Sequence, residues 1–181
     1  MLANINVEGQ PVPCIRFMGG REYEMICSLT NCSSDQIVND DDIKQIIVDG
    51  VMALPSFSNG TGPYGKNRSE ILGIPKNGAA LATIYCALMI SCCLNKLNTQ
   101  GDVIMDGSFL KNPILCRLVA QLCGKKNLYI SNDEAGTVKG AAQLTQWSQL
   151  PILELEKCEP YNIEGLDLYV SSWFKAIGEI K

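Results

Sequence analysis

Residues 101–124 read GDVIMDGSFLKNPILCRLVAQLCG, and this stretch indicates the fold class. Val103 to Met105 form a short apolar strand, Asp106-Gly107-Ser108 form a tight turn, and an amphipathic helix follows. Pro113 suits the first turn of that helix, and Gly124 suits its left-handed end. The pattern predicts a strand, a turn and a helix whose free backbone N–H groups can hold an anion or a nucleotide. On spacing alone, an ordinary β-turn-α unit is the simpler interpretation.

The composition is that of a globular domain, and it argues against several classes of function. A chain of 181 residues is long enough for one domain with a sizeable core. The net charge is −4 and the basic residues are scattered, so the sequence lacks the basic surface typical of nucleic-acid binding. The chain contains no histidine, which excludes Ser-His-Asp and Cys-His catalysis and His-ligated metal sites. We therefore expect no nucleic-acid partner.

Nine cysteines are present, and none forms a CxxC pair. Four lie on apolar helical faces: Cys86, Cys93, Cys116 and Cys123. An odd number without zinc-ligand spacing, in a sequence that opens without a signal peptide, predicts reduced thiols in a cytoplasmic protein.

One segment has the composition of a membrane span. Residues 78–94 are uncharged and rich in Ala, Leu, Ile and Cys, but they include Thr83, Tyr85 and Ser91 and are barely long enough to cross a bilayer. We interpret this segment as a buried helix of an α/β core and expect no membrane association.

Strand and helix patterns alternate along the rest of the chain. The predicted elements are strands at 2–7 and 13–18, a helix after Gly19-Gly20, a helix after the acidic run 40–42, a long helix at 79–97, the unit at 101–124, a strand at 127–131, a helix at 138–147 and a helix at 166–177. A metal site at the acidic run is a weaker alternative, because neighbouring side chains point in different directions. In the helix at 138–147, the small residues Gly140 to Ala142 are expected to allow close packing. Strands separated by helices imply a partly parallel sheet covered by helices, so the predicted fold class is α/β.

Four segments follow one another in a defined order: RFMGGRE at 16–22, PSFSNGTGPY at 55–64, IMDGSFLKN at 104–112, and Glu134 followed by KGAA at 139–142. The first is a strand and glycine pair leading into a helix, and the second is a Pro-x-Phe-Ser loop that ends in Pro-Tyr. The third is a strand followed by a glycine-serine loop, and the fourth begins a closing helix. Together, over roughly residues 1–150, they resemble the C-terminal domain of the FGGY-type carbohydrate kinases.

The resemblance implies a fold and a ligand. The fold is the ribonuclease-H-like domain of the actin-like ATPases, with an incomplete mixed sheet flanked by helices, and ATP or ADP with Mg²⁺ lies between two such domains. By the resemblance, Gly19 and Gly20 offer backbone N–H groups to the phosphates, and Gly107 lets the backbone pass close to the nucleotide. Three residues are expected near the purine or ribose: Ser108, Lys111 and Asn112. Asp106 replaces a glycine that the family usually has in this loop.

The resemblance also indicates what the chain lacks. The family's catalytic aspartate and its phosphate-binding Gly-Thr turn both lie upstream of this segment. The Gly-Thr pairs at 60–61 and 136–137 do not occupy the position of that turn. Residues 1–181 are therefore expected to form a C-terminal kinase domain without its first strand and without the N-terminal domain that would be its partner. Two sheet edges would then be unpaired. No catalytic residue and no metal ligand is assigned within the chain.

Three interpretations of function follow. In the first, the chain is the nucleotide-binding part of an ATP-dependent kinase for a small-molecule sugar and is inactive alone, so whether it is itself an enzyme stays open. In the second, it is a non-catalytic relic or interaction module that keeps the fold. In the third, it is an unrelated α/β nucleotide-binding enzyme with a similar glycine turn. The sequence does not identify the sugar, because in this family the sugar binds mostly to the N-terminal domain.

Overall fold

The computed structural model describes residues 2–58, 60, 62–66, 69–98, 100–131, 136–146 and 154–178. Its helices and strands, in chain order, are β1 (Leu2–Ile5), β2 (Pro11–Cys14), α1 (Gly19–Leu29), α2 (Asp40–Asp49), β3 (Met52–Leu54), β4 (Glu70–Leu72), α3 (Gly78–Leu97), β5 (Val103–Met105), α4 (Pro113–Leu122), β6 (Leu128–Ser131), α5 (Gly136–Gln143), β7 (Leu155–Cys158) and α6 (Leu166–Ala176). Short 3₁₀ helices lie at Ser108–Lys111 and Leu144–Gln146. The predicted α/β class is confirmed.

The chain divides into two compact units, one made of Met1–Gln100 with Asn162–Lys181 and the other of Gly101–Tyr161. The first contains two antiparallel two-stranded sheets, β1–β2 and β3–β4, with α1, α2, α3 and α6. The second contains the sheet β5-β6-β7, in which β5 and β6 are parallel and β7 is antiparallel to β6. The expected single mixed sheet is thus wrong for the described residues, which form three small sheets, of which only the last is mixed.

The core of the first unit is built around α3. Almost every side chain from Gly78 to Met89 is fully buried, and α1 packs against this helix. The Thr83 hydroxyl of α3 is satisfied within the helix, since it donates to the Ala79 carbonyl at 2.8 Å. Of the described helices, only α3 is long and apolar enough to span a membrane, and most of it is buried inside the protein. That burial agrees with the prediction of a core helix.

Helix α6 is joined to β3 by two buried hydrogen bonds. The Trp173 indole N–H donates to the Ala53 carbonyl at 2.7 Å, and the Tyr169 hydroxyl donates to the Val51 carbonyl at 2.7 Å. Trp173 is fully buried, and its ring meets Tyr64 edge-on, with centroids 6.0 Å apart. These contacts bring residues more than one hundred positions apart into one core.

The acidic run begins α2, as predicted. Asn39 caps the helix by accepting the amides of Asp41 and Asp42 at 3.0 Å, and the Asp42 carboxylate accepts the Asn39 amide at 3.0 Å. Asp41 pairs with Lys44 at 3.2 Å. No group of three or more possible metal-ligating side chains occurs in the described part of the chain, and the aspartates serve the helix terminus instead.

Several sequence-based expectations need correction. The returning strand is Pro11–Cys14 and not 13–18, and two prolines are tolerated because β2 pairs with β1 alone among the described strands. The small residues of α5 were expected to allow close packing. Gly140 is instead exposed, and among the described residues a Cβ at this position would meet no atom within 4 Å. The strands β3, β4 and β7 were not predicted. The polar turn at 132–135 and Trp147 lie outside the described residues.

Candidate functional site

The N-terminus of α1 begins with Gly19 and Gly20 and has no side-chain cap. Met18 occupies the cap position and supplies no hydrogen bond from its side chain. The first amides of a helix have no intrahelical acceptor, and the helix dipole makes this end attractive to an anion. Gly20 is exposed, its φ lies outside the left-handed region, and a Cβ there would meet nothing within 4 Å. Nothing within the described chain therefore requires a glycine at position 20.

The turn at Gly19 packs against buried side chains of α3. Gly19 is buried, and its carbonyl accepts a hydrogen bond from the Cys86 thiol of α3 at 3.7 Å. Phe17, just before the turn, meets the Tyr85 ring edge-on, with centroids 6.4 Å apart. The glycine turn thus rests directly on the core helix.

Glu22, in the first turn of α1, is fully buried. Its Oε2 accepts hydrogen bonds from the Phe57 amide at 3.3 Å and from the Tyr85 hydroxyl. Its other oxygen, Oε1, has no hydrogen-bond partner among the described residues. One carboxylate therefore connects the first turn of α1, the buried loop 55–58 and the centre of α3.

Burial raises the pKa of Glu22 above its ordinary 4.5, against the opposing effect of hydrogen bonds from Tyr85, Phe57 and Ser58. The same environment raises the pKa of the Tyr85 hydroxyl, first through burial and then through the neighbouring carboxylate. Tyr85 therefore stays a hydrogen-bond donor over the physiological range. The hydrogen bonds of Glu22 to Phe57 and Tyr85 therefore join the loop 55–58 and α3 to the first turn of α1.

Glu22→Gln is expected to change the pH dependence of stability. Because the folded-state pKa of Glu22 is raised above 4.5, the folded protein binds this proton more tightly than the unfolded chain does. The contribution of Glu22 to the free energy of unfolding is therefore greatest below 4.5 and falls as the pH rises towards the raised pKa. Glutamine does not titrate, so the variant does not lose this contribution. The free energy of unfolding of Glu22→Gln, relative to that of wild type, should therefore increase as the pH rises from 4.5 to the raised pKa of Glu22.

Urea unfolding of both proteins from about pH 4 to 8 measures this difference. Glu24→Gln, on the exposed face of the same helix, is the matched control. A difference between Glu22→Gln and wild type that stays constant over the whole range would contradict the assignment.

The second group of predicted site residues lies in one turn after β5. Gly107 has φ +88°, a conformation that favours glycine, and precedes the 3₁₀ helix containing Ser108 and Lys111. Ser108 and Lys111 are exposed. The Asn112 side-chain oxygen accepts the Leu115 amide at 3.1 Å and so caps α4. These four residues share one segment of the second unit, whereas Gly19 and Gly20 belong to the first.

Asp106, which replaces the family's usual glycine, is also exposed. Its Oδ1 accepts the Gly107 amide at 2.6 Å. The carboxylate thus stabilises the left-handed turn through its own neighbour's N–H and adds negative charge at the end of β5.

Glu22 and Tyr85 are the residues that sequence reasoning did not assign to this site. The available signal was position: Glu22 and Ile26 are four residues apart and share the buried face of α1. A charged residue on an otherwise apolar face is a reason to expect a buried partner. Glu134, which carried part of the fourth motif, lies outside the described residues.

Comparison with known proteins agrees with the resemblance. The family described as "Carbohydrate kinase FGGY, C-terminal domain" matches residues 1–152. No curated protein gave a match. The structure is similar to the crystal structure of a carbohydrate kinase from Novosphingobium aromaticivorans, with a TM-score of 0.82 and 28% identity. That match covers 98% of this chain but 39% of that kinase, so this chain spans well under half of its relative's length. The chain belongs to the FGGY carbohydrate kinase family and corresponds to its C-terminal domain.

Proposed function

We propose that the chain is the nucleotide-binding C-terminal part of an ATP-dependent carbohydrate kinase. The observation that carries the proposal is the uncapped start of α1 in a member of this family, where Gly20 is open to the outside and no contact within the described chain requires a glycine. A phosphate approaching these amides would meet backbone N–H groups and the positive end of the helix dipole. A side chain at position 20 would stand in its way.

The remaining predicted residues fit an adenosine-side contact. Gly107 gives the turn after β5 its φ of +88°, Ser108 offers a hydroxyl, and Lys111 offers a positive charge. The Asn112 side-chain oxygen caps α4, which places this residue where the same turn meets the helix. Mg²⁺ bound to the phosphates would neutralise their charge and favour phosphoryl transfer to a sugar hydroxyl. We assign it no protein ligand in this chain.

The transfer itself needs a group that accepts the proton of the sugar hydroxyl. In the family this is an aspartate of the N-terminal domain, so the isolated chain is proposed to be inactive and to require that domain as its partner. The whole chain would then form one ribonuclease-H-like domain of a cytoplasmic kinase that acts on a small-molecule sugar.

Gly20→Ala is the variant that tests the phosphate contact. The added methyl group meets nothing inside the described chain, so the free energy of unfolding should change by no more than about 0.5 kcal/mol. It would, however, point at a phosphate held by the first amides of α1. We expect the affinity for ADP with Mg²⁺, measured by titration calorimetry, to fall by about tenfold or more.

Gly140→Ala is the matched control, because this glycine is also exposed, helical and free of neighbours within 4 Å. Its ADP affinity should equal that of wild type. Unchanged affinity in Gly20→Ala, in a protein that does bind ADP, would place the phosphates elsewhere.

A second candidate function is a non-catalytic relic or interaction module. The exposed Asp106 carboxylate favours it, since negative charge in the loop assigned to adenosine opposes the approach of a polyanionic nucleotide. The discriminating test is an ADP titration with the N-terminal domain of a family member supplied. Absence of binding under those conditions supports the module, and binding supports the kinase.

A further inference from the structure

Two cysteines outside the candidate site lie together where α1 ends. Cys27 is in the last turn of the helix and is fully buried, whereas Cys32, five residues later, is half-buried. The chain reverses between them through Asn31, which has φ +54°. The Cys32 amide donates to the Cys27 carbonyl at 2.9 Å, so the backbone holds the two residues side by side.

The thiols also influence each other. Cys32 is among the groups that raise the pKa of the Cys27 thiol, and the Cys32 thiol donates to the Ser33 carbonyl at 3.4 Å. The turn is held by further bonds, because the Thr30 hydroxyl donates to the Ile26 carbonyl at 2.8 Å. Two thiols that influence each other, on a backbone turn closed by the hydrogen bond between Cys32 and Cys27, agree with the proximity that a disulfide requires.

We propose that Cys27 and Cys32 form a redox-sensitive pair that a hydroperoxide converts into an intramolecular disulfide. Cys32, the more exposed thiol, reacts first. Its sulfur attacks one peroxide oxygen, the O–O bond breaks, and the departing hydroxide leaves with the thiol proton as water, which gives Cys32 sulfenic acid. The Cys27 sulfur then attacks the Cys32 sulfur, the S–S bond forms, the S–O bond breaks, and the hydroxide leaves with the Cys27 proton as a second water.

The order of the two steps follows from the surroundings of each thiol. Burial, and then the hydrogen bond to Cys32, raise the pKa of the Cys27 thiol to about 12, so Cys27 is a poor first target for an oxidant. Tyr23, Glu24 and the buried Cys86 are the other ionisable groups near this pair. Cys86 is the competing partner for Cys27, although its thiol is directed at the Gly19 carbonyl.

The test is peptide mapping after oxidation. The reduced chain is treated with one equivalent of hydrogen peroxide, the remaining thiols are alkylated, and the protein is digested with trypsin. Cleavage after Arg21 and Lys44 gives a peptide whose only cysteines are Cys27 and Cys32. We expect this peptide to carry no alkyl group and to be lighter by the mass of two hydrogen atoms, while Cys14 stays alkylated.

Two variants assign the roles. Cys32→Ser should leave Cys27 fully alkylated after peroxide, and Cys27→Ser should leave a Cys32 sulfenic acid that dimedone captures. Circular dichroism checks that both variants are folded. The proposal is overturned if the wild-type peptide stays doubly alkylated while other thiols are oxidised, or if Cys27 is found linked to Cys86.

Discussion

Trp173→Ala is expected to lower the free energy of unfolding by about 4 kcal/mol. The indole is fully buried, and its removal leaves a large cavity between α6 and β3. The Ala53 carbonyl loses its 2.7 Å hydrogen bond from the indole N–H, and the edge contacts with Tyr64 and Phe174 disappear. Urea unfolding followed by far-ultraviolet circular dichroism measures the loss independently of tryptophan fluorescence.

Leu168→Ala provides the matched control on the same helix, because this side chain is 76% exposed. Its effect should stay within about 0.5 kcal/mol. A second variant, Trp173→Phe, keeps most of the apolar volume but removes the indole N–H, and it should fall between the two. Equal stability of Trp173→Ala and Leu168→Ala would show that α6 does not pack on β3 in solution.

Gly78→Ala is expected to cost about 3 kcal/mol through overpacking. A Cβ at position 78 would lie 1.9 Å from Thr30 Oγ1 and 2.8 Å from Thr30 Cβ. The Thr30 hydroxyl cannot rotate away freely, because it donates to the carbonyls of Ile26 and Cys27. The end of α1 and the start of α3 must therefore move apart.

The control for Gly78→Ala is Gly20→Ala, which also adds a methyl group at the start of a helix but meets nothing within 4 Å. The two variants should differ by about 2 to 3 kcal/mol in the same urea titration. If Gly78→Ala is as stable as Gly20→Ala, the result would contradict the close approach of Gly78, at the start of α3, to Thr30, at the end of α1.

The region 101–124 was predictable because its signals are local. Pro113 occupies the first position of α4, Asn112 caps it, and Gly124 adopts φ +65° just beyond its end. Each signal acts within a few residues, so the sequence alone places both ends of the helix. The parallel pairing of β5 with β6 followed from the helix between them.

The short strands could not be predicted in the same way. Met52–Leu54 has three buried apolar residues, too few to distinguish a strand from a loop, and it pairs with Glu70–Leu72, which carries no alternating pattern. Leu155–Cys158 is mostly exposed and is a strand because β6 lies beside it. These elements depend on a neighbour that is distant in sequence.

In the candidate site too, local signals could be predicted from the sequence and long-range contacts could not. Gly19-Gly20 and Gly107 are visible as turn signals in the sequence, whereas the role of Glu22 depends on the approach of Phe57 and Tyr85. A helical pattern predicts that a residue faces inward but not which partner it meets. The buried carboxylate therefore became clear only in three dimensions.

The most direct measurement of the central claim is a nuclear magnetic resonance titration of the chain, labelled with ¹⁵N at its sixteen glycines, with ADP and Mg²⁺. The Gly20→Ala spectrum assigns the Gly20 amide. We predict that the amide signals of Gly19, Gly20 and Gly107 shift in proportion to bound nucleotide, while those of Gly9 and Gly50 stay in place. An unchanged glycine spectrum at saturating ADP, or shifts confined to other glycines, would contradict the proposed nucleotide site.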